Sequence, residues 1–303
     1  MRSRARWSAW TARLDPALFA LVLGLGSAVT LAGANTFVKA AKDILGGRTV
    51  MTLTGSILML PFVFIVPLPS VQTWVFLAFS LPAHWLYQTA LVRALSRGDL
   101  SMVFPVMRGS APLLTAMSAS IFLEEHLSPL AIVGLAIASL ATIVFALPEK
   151  DFAGSRAVRN SAILWALATG AGVAIYNVID AQGVRSATET TGTQWSFIVW
   201  LFVLDFIGIS TILLITRGAR EFVASARRAL RPGIGAGLCS TASFSMMLYG
   251  FSLAPVAYMS AMRETAVVFA AVMGWWFLKE GFGVRRTLAA VTLAGGLGLL
   301  QFG

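Results

Sequence analysis

The stretch MRGSAPLLTAMSASIFLEE at residues 107–125 is repeated as MRETAVVFAAVMGWWFLKE at residues 262–280. Each copy places an arginine, Arg108 or Arg263, inside an otherwise apolar helix and closes that helix with a glutamate. An arginine facing lipid near the middle of a membrane costs at least about 2.5 kcal/mol. The repeat therefore predicts a polar site that is lined by protein.

The composition places this repeat in a membrane. Hydrophobic residues make up 57% of the 303 residues, charged residues make up 12%, and the mean hydropathy is +0.80. A globular domain of this length needs more polar surface. The net charge of +10 comes from basic residues between apolar blocks, which indicates lipid headgroups and disfavours a nucleic-acid partner. The single cysteine, Cys239, provides neither a disulfide nor a metal cluster.

Ten apolar runs approach the roughly 20 residues that a bilayer span requires. Proline-rich, glycine-rich and charged breaks separate them, and only 148–160 and 217–232 are long enough to be real loops. The first run resembles a signal peptide, but no soluble mature protein follows it. We expect an all-α polytopic membrane protein with ten transmembrane helices at about 17–38, 50–66, 73–95, 101–122, 128–147, 161–180, 195–216, 233–252, 256–278 and 285–302.

The two halves of the chain, residues 1–150 and 151–303, each carry five of these spans. Because five is an odd number, the second half enters the membrane from the opposite side, so the sequence predicts two inverted five-helix repeats. Matching the two arginines also brings Asn35 in the first span near Asn177 in the sixth. Inverted repeats let many secondary transporters build two oppositely facing states around a midplane site. The alternative is a duplication that only builds a compact helical bundle.

Three motifs resemble those of one transporter family. The run PVMRGSAPLL at residues 105–114 is similar to the fourth helix of EamA-type members of the drug/metabolite transporter superfamily, and AMRETAVVFAA at 261–271 is similar to their ninth. The stretch IYNVID at 175–180 resembles the sixth helix of one subgroup. The resemblance covers nearly the whole chain and implies a ten-helix exporter of small metabolites in the inner or plasma membrane, driven by an ion or substrate gradient. The chain contains no GxxxxGK[ST] phosphate loop, consistent with that expectation.

Two spans hold polar side chains on one face. In the third span, positions 84, 87 and 88 share a helical face and are expected to contact substrate, unless they serve helix packing or an interfacial aromatic belt. A polar stripe in the eighth span indicates either a cavity wall or close helix packing, and it consists of Thr241, Ser245, Tyr249 and Ser252. The full set of predicted cavity residues is Asn35, His84, Trp85, Tyr87, Gln88, Arg108, Tyr176, Asn177, Ser245, Tyr249 and Arg263.

Ionisable residues inside the spans are costly and are therefore functional candidates. Arg108 and Arg263 could hold a carboxylate substrate, or they could pair with acids such as Asp205 and Glu264. Asp205 stands near the middle of the seventh span, where it either carries a proton or forms an ion pair with an arginine, and we expect the ion pair. Asp180 lies at the end of the predicted sixth span, as a coupling group or as a solvated cap.

Motifs for metal binding and for catalysis are missing from the sequence. Glu124-Glu125-His126 does not follow the HExxH order, and no GxSxG nucleophile elbow occurs. We therefore expect no metal, no cofactor and no enzymatic activity, with a membrane-embedded enzyme or a structural protein as remote alternatives.

These patterns predict an exporter of small organic metabolites that works by alternating access. Amino acids, including aromatic or apolar ones, are the first substrate class, because the resemblance extends to aromatic amino-acid exporters of the YddG type and several spans carry aromatic rings. The alternative is a proton-coupled multidrug or cation exporter that uses Asp205 or Glu264. We expect the small-molecule substrate and the lipid bilayer as partners, and a monomer as the simplest form. The N-terminal arginines and the resemblance favour cytoplasmic termini, whereas the count of basic residues favours the reverse orientation.

Overall fold

The computed structural model of this chain describes residues 15–41, 43–95, 97, 100–146, 156–269 and 284–302. Ten α-helices and no strand occur within these ranges, and a short 3-10 helix, Leu60–Phe64, follows the second of them. The ninth predicted span is described as far as residue 269, and the end of its repeat motif at 277–280 lies outside the described residues. The ten helices are α1 (Pro16–Ala40), α2 (Ile44–Met59), α3 (Val71–Leu95), α4 (Leu100–Phe122), α5 (Pro129–Ala146), α6 (Arg156–Thr191), α7 (Trp195–Arg228), α8 (Leu230–Gly250), α9 (Val256–Glu264) and α10 (Val284–Phe302).

Many of these helices are suited to a lipid environment. Two apolar stretches, Pro129–Val144 and Thr287–Leu300, are shorter than a full span. Large apolar side chains such as Leu86, Leu164 and Ile215 point outward and are exposed. The prediction of an all-α polytopic membrane protein is confirmed. The described segments that are long and apolar enough to cross a membrane are Pro16–Val38, Ile44–Phe64, Val71–Ala94, Arg159–Thr191 and Trp195–Arg228.

Aspartates cap the first two helices. Asp15 accepts a hydrogen bond of 3.0 Å from the backbone N–H of Ala17, and Asp43 accepts one of 3.2 Å from the N–H of Gly46. Such caps satisfy amide groups that a helix start leaves without partners. Because α2 begins at this cap, it starts earlier than the predicted residue 50, and Arg48 lies inside it.

The sixth helix is longer than predicted. The apolar run of the sequence ends near Asp180, but α6 continues for another three turns to Thr191. Polar residues in this extension are satisfied by neighbouring helices, as shown by the 3.1 Å hydrogen bond between the hydroxyls of Ser186 and Thr73. Asp180 is therefore fully buried within the helix, and the prediction that it lies at a helix end is wrong.

The predicted loop at 217–232 is almost entirely helical, because α7 and α8 together cover it. Gly218 breaks α7 with φ of 78° and ψ of 166°, a conformation that only glycine adopts easily. The segment after the break packs against the start of α2, since Asp43 accepts hydrogen bonds of 2.7 Å from both Arg217 and Ser225. A single glycine thus provides the bend for which the sequence predicted a long loop.

The helices α5 and α10 pack against each other through glycine. A Cβ atom added to Gly134 would lie 2.6 Å from the carbonyl oxygen of Gly296, and one added to Gly296 would lie 2.7 Å from the backbone nitrogen of Ala138. Small residues of this kind allow helix backbones to approach closely in lipid. We call this contact the α5–α10 seam.

The most extensive helix contacts recur when each helix is exchanged for the one five positions later. The α1–α8 contact becomes the α6–α3 contact, and the α4–α6 contact becomes the α9–α1 contact. The contacting pairs α2–α7, α4–α9 and α5–α10 each join two helices five positions apart, so the exchange leaves these pairs unchanged.

Candidate functional site

A polar cavity of about 150 Å³ lies between the helices. Its wall is built by α1 to α4 and α6 to α9, and α5 and α10 contribute none of the described residues. Lining residues such as Val38 and Arg48 come from the helix ends near the α1–α2 turn, so the cavity extends toward that side of the bundle. Predicted site residues that line it are Asn35, His84, Tyr87, Gln88, Arg108, Tyr176, Asn177, Asp205, Arg263 and Glu264.

Two predicted aromatic wall residues lie elsewhere. The indole of Trp85 packs against α7, where a Cβ atom on Gly208 would lie only 2.0 Å from the indole Cδ1. Tyr249 packs edge-on against Phe19, with ring centroids 5.9 Å apart. Trp85 projects about 100° around the helix from its neighbour His84, which turns it away from the cavity. The structure therefore corrects the prediction that these two side chains border the cavity.

On α8 the cavity wall shares only Thr241 with the predicted stripe. Ser245 is buried between helices, and its hydroxyl has no hydrogen-bond partner among the described residues. This placement corrects the prediction that Ser245 lines the cavity and agrees with the alternative of close helix packing. The residues of α8 that do line the cavity are Ser240, Thr241, Phe244 and Met247.

Four rings form one side of the cavity. His84 and Tyr176 are stacked with centroids 4.2 Å apart, Tyr87 meets Tyr176 edge-on at 5.3 Å, and Phe244 meets His84 edge-on at 5.5 Å. Edge-on and stacked pairs of this kind contribute about 0.5–1.5 kcal/mol each. We call these four side chains, which come from α3, α6 and α8, the aromatic wall.

The two repeated arginines have different partners. Arg108 donates from Nη1 to Oε1 of Glu264 at 3.3 Å, which joins α4 to α9. Arg263 lies over the ring of Phe244, with Cζ 5.2 Å from the centroid, and its Nη1 is 3.1 Å from the sulfur of Met247. None of the ion pairs between described residues includes Arg263. The predicted neutralisation by an acid is therefore found for Arg108 and not for Arg263.

Asp205 also differs from its prediction. This residue of α7 lines the cavity, and its Oδ1 is buried without a hydrogen-bond donor in the described part of the chain. The expected pair with an arginine is absent from the ion pairs that the structure describes. A buried polar atom without a partner is unfavourable by about 1–3 kcal/mol, and by more when it is charged. The carboxylate of Asp205 is thus placed to accept a donor from a ligand.

Asp180 and His84 form a buried pair at the edge of the cavity. The Oδ2 of Asp180 lies 3.0 Å from Nε2 of His84, and its Oδ1 accepts a hydrogen bond from the hydroxyl of Ser80. His84 lines the cavity, whereas Asp180 lies behind it and is fully buried.

Asn177 connects three helices at the cavity. Its Nδ2 lies 3.3 Å from Oγ1 of Thr115 on α4 and 3.5 Å from Oγ of Ser260 on α9. Asn35, which the repeat pairs with it, lines the cavity from α1. Both asparagines are therefore at the cavity, and the contacts of Asn177 also give it a structural role.

Arg48 and Phe244 are wall residues that were missed at the sequence level. Arg48 has its Cζ 6.0 Å from the ring centroid of Tyr87. Its signal was an arginine inside an apolar helix, which becomes visible only when the helix start is placed at Asp43. Phe244 was missed because the cavity-facing side of α8 was inferred from the stripe of hydroxyl residues.

A helical membrane bundle with a charged cavity at its centre has the architecture of a membrane transporter. The family model of the EamA-like transporter family matches residues 160–302, which lie in the second half of the chain. The match indicates a membrane transporter of the drug/metabolite transporter superfamily, whose EamA members are generally not enzymes.

One solved structure, described only as "Crystal structure of protein", has the same fold. It is 14% identical to this chain with a TM-score of 0.71, and the alignment covers 92% of this chain and 95% of that one. The likeness at this identity extends to the fold alone. No curated protein sequence matches the chain.

Proposed function

We propose that this chain is a secondary-active exporter of small organic metabolites, in the first place amino acids including aromatic or apolar ones, located in the inner or plasma membrane. The observation that carries the proposal is the presence of two opposite charges in one cavity, Asp205 on α7 and Arg263 on α9. Neither belongs to an ion pair among the described residues. Asp205 can accept hydrogen bonds from an ammonium group, and the planar guanidinium of Arg263 suits a carboxylate.

The charges of the wall favour a zwitterion over a lipophilic cation. Arg48, Arg108 and Arg263 share the cavity with two carboxylates, and one of these, Glu264, is already paired with Arg108. An incoming cation therefore finds one carboxylate, Asp205, together with two further arginines that repel it. A zwitterion finds a partner for each of its charges. Because Asp205 would also attract a cation, multidrug-type cation export is the second candidate function.

Cavity size and the aromatic wall support the same substrate class. The volume of about 150 Å³ is below the range of about 300–1,000 Å³ that is typical of sites for drug-sized ligands. Tyr87, Tyr176 and Phe244 provide apolar surface beside the two charged groups. This combination suits a small molecule with one charged end and one apolar or aromatic end.

We further propose that residues 1–150 and 151–303 are two inverted repeats that move against each other in alternating access. The exchange of helix contacts supports this proposal, as does the placement of Arg108 and Arg263 at corresponding points of α4 and α9. In inverted-repeat transporters the site lies at the interface between the halves, so that rocking of one half opens it to either side. The described lining residues come from eight helices of one chain, and we propose a monomer as the functional form.

Counterflow in proteoliposomes tests the proposed function. Vesicles loaded with an unlabelled apolar or aromatic amino acid are expected to take up the labelled amino acid, and not labelled tetraphenylphosphonium. Asp205→Asn and Arg263→Gln should each weaken the apparent affinity by about tenfold or more, since each leaves one substrate charge without its partner. Glu189→Gln and Arg231→Gln change exposed residues away from the cavity and serve as matched controls.

The results separate the two candidate functions. Exchange of the lipophilic cation with loss of activity in Asp205→Asn alone would support the cation exporter. Exchange of neither compound class by the folded protein would rule out both.

A further inference from the structure

We infer that His84 and Asp180 form a proton-binding site that couples export to the proton gradient. This inference rests on the proposed function and assigns to the pair a role different from that of Asp205 and Arg263, which are proposed to hold the substrate. The coupling site is therefore placed beside the substrate site and not within it.

The geometry of the pair carries the inference. Nε2 of His84 and Oδ2 of Asp180 are 3.0 Å apart, and the hydroxyl of Ser80 donates to the other carboxylate oxygen. Asp180 is fully buried on α6, and its carboxylate has no water-facing surface. The imidazole is held in place by stacking on Tyr176 at 4.2 Å. A histidine fixed in this way between a carboxylate and an aromatic ring can change its charge without moving.

The proton reaches the pair through the cavity. His84 lines the cavity and Asp180 does not, so the imidazole is the group that exchanges with cavity water. Because Nε2 faces Asp180, a proton is gained and lost at Nδ1. The step moves one proton between Nδ1 and water, and no other bond changes. When the cavity opens to the opposite side of the membrane, the same atom exchanges with that side.

Charged groups around His84 link its protonation to the substrate. The elements α1 and α8 place only uncharged residues in the cavity wall. Groups that face His84 or share its cavity are Asp180 and Tyr176 from α6, Asp205 from α7, Arg263 and Glu264 from α9, Arg48 from α2, Arg108 from α4 and Tyr87 from its own helix.

Substrate and proton are expected to compete. An ammonium group bound at Asp205 and a proton on His84 are like charges in one cavity between apolar helices, so each weakens the binding of the other. A transporter of this kind binds either the proton or the substrate, and it changes its facing direction with either of them bound. It therefore exchanges one for the other across the membrane. Export of substrate against entry of protons follows from this arrangement.

Histidine nuclear magnetic resonance tests this coupling directly. The chain has two histidines, and His126 lies exposed between α4 and α5, so ¹⁵N-histidine labelling gives one signal for the site and one reference. His126→Gln assigns the spectrum. With a transported amino acid added over about pH 5 to 9, the ring nitrogens of His84 are expected to shift from the imidazolium toward the neutral form, whereas His126 is unchanged. If His84 kept its protonation state while the same sample bound the amino acid, the inference would be overturned.

Transport by the variant Asp180→Asn provides the second test. We expect accumulation driven by a pH gradient to fall by about tenfold or more, while exchange between vesicles at equal pH persists, because only the exchange does not require proton movement. Glu189→Gln on the same helix is the control. Full pH-driven accumulation by Asp180→Asn would overturn the inference.

Two further outcomes are informative. If Asp180→Asn does not fold, the variant Ser80→Ala can replace it, because this change removes only one hydrogen bond from the carboxylate. Ser80→Ala should shift the pH dependence of transport. An unchanged pH dependence would count against the inference. If the wild-type protein exchanges no amino acid at equal pH, the proposed function fails, whereas normal exchange without any response to a pH gradient contradicts the proton site alone.

Discussion

Arg108 of α4 and Glu264 of α9 meet at the cavity, with Nη1 and Oε1 3.3 Å apart. Arg108 belongs to the first half of the sequence and Glu264 to the second, so this ion pair joins the two halves. The side chains are only 14% and 7% exposed, and water therefore does little to stabilise the charge of Glu264.

Removing only one charge of this pair should lower the stability of the protein more than removing both charges. Arg108→Gln leaves a buried carboxylate near a neutral amide, and we expect a loss of about 3–5 kcal/mol of stability. The double variant Arg108→Gln/Glu264→Gln leaves no buried charge at this place and should regain most of that loss. Thermal unfolding in detergent micelles measures both. A double variant as unstable as Arg108→Gln would show that the pair is not the reason for the loss.

The contact between Trp85 and Gly208 should behave as packing and not as part of the substrate site. Gly208→Ala places a Cβ atom 2.0 Å from the indole and is expected to cost about 1–3 kcal/mol. Gly298→Ala is the control, because a Cβ atom there meets no atom within 4 Å. Trp85→Ala should lower the melting temperature and leave the apparent substrate affinity unchanged. A tenfold loss of affinity in that variant would return Trp85 to the binding site.

The cap at Asp43 predicts an acid-sensitive contribution to stability. Burial opposes ionisation, but hydrogen bonds from Ser225, Arg217 and Gly46 outweigh it and lower the pKa of Asp43 from 3.8 to about 2. A lowered carboxylate pKa contributes stability that is present above about pH 4 and is lost as the pH falls through about 2. Allowing for solvent screening, we expect Asp43→Asn to cost about 1 kcal/mol at neutral pH.

The cost of Asp43→Asn should shrink as the pH approaches about 2, which unfolding measured across a pH series can follow. Asp15→Asn provides the matched control. Asp15 caps α1 in the same way, and no ion pair of the described residues includes it. Equal losses in the two variants at every pH would show that Asp43 acts only as a cap.

Substrate analogues should reveal which charge each residue recognises. The amine that lacks the carboxylate is expected to compete at least as well in Arg263→Gln as in the wild-type protein, because the repelling guanidinium is removed. The acid that lacks the amine should compete at least as well in Asp205→Asn as in the wild-type protein, because the repelling carboxylate is removed. Competition in the counterflow assay measures both. If each variant lost both analogues to the same degree, Asp205 and Arg263 would shape the cavity without recognising charge.

The position of the cavity predicts one-sided accessibility. In a Cys239→Ser background, a cysteine replacing Val38 should react with a membrane-impermeant maleimide from the side that also labels a cysteine at Arg220. A cysteine at His126 should be labelled from the other side, since α4 ends opposite to the α1–α2 turn. Labelling of the Val38 position together with the His126 position would contradict the described placement of the cavity.

Much of the fold follows from hydropathy. The sequence contains ten apolar runs of about membrane length. Each of the ten described helices overlaps one of these runs. Their ends were less predictable, since Gly218 replaces a loop by one bend and the polar turns after Asp180 remain helical. Hydropathy detects segments that are compatible with lipid. It does not detect polar helical turns that are buried against other helices.

The cavity was predicted in part for a related reason. His84, Tyr87 and Gln88 were found because a polar face on an apolar helix must be covered by protein. Trp85 and Tyr249 were assigned to the cavity incorrectly, because an aromatic ring is equally compatible with lipid, with helix packing and with a cavity wall. The pairing of Glu264 with Arg108 instead of Arg263 depends on the rotation of α4 and α9, which the sequence pattern does not specify.

The α5–α10 seam has a consequence for how such a protein can change over evolutionary time. Gly134 and Gly296 bring two backbones together in helices that place no described residue in the cavity. Mutations that alter the cavity wall therefore leave this seam intact, and mutations in the seam are constrained by shape alone. We therefore expect related chains to acquire new cargo by exchanging a few wall residues and to retain small residues at the two glycine positions.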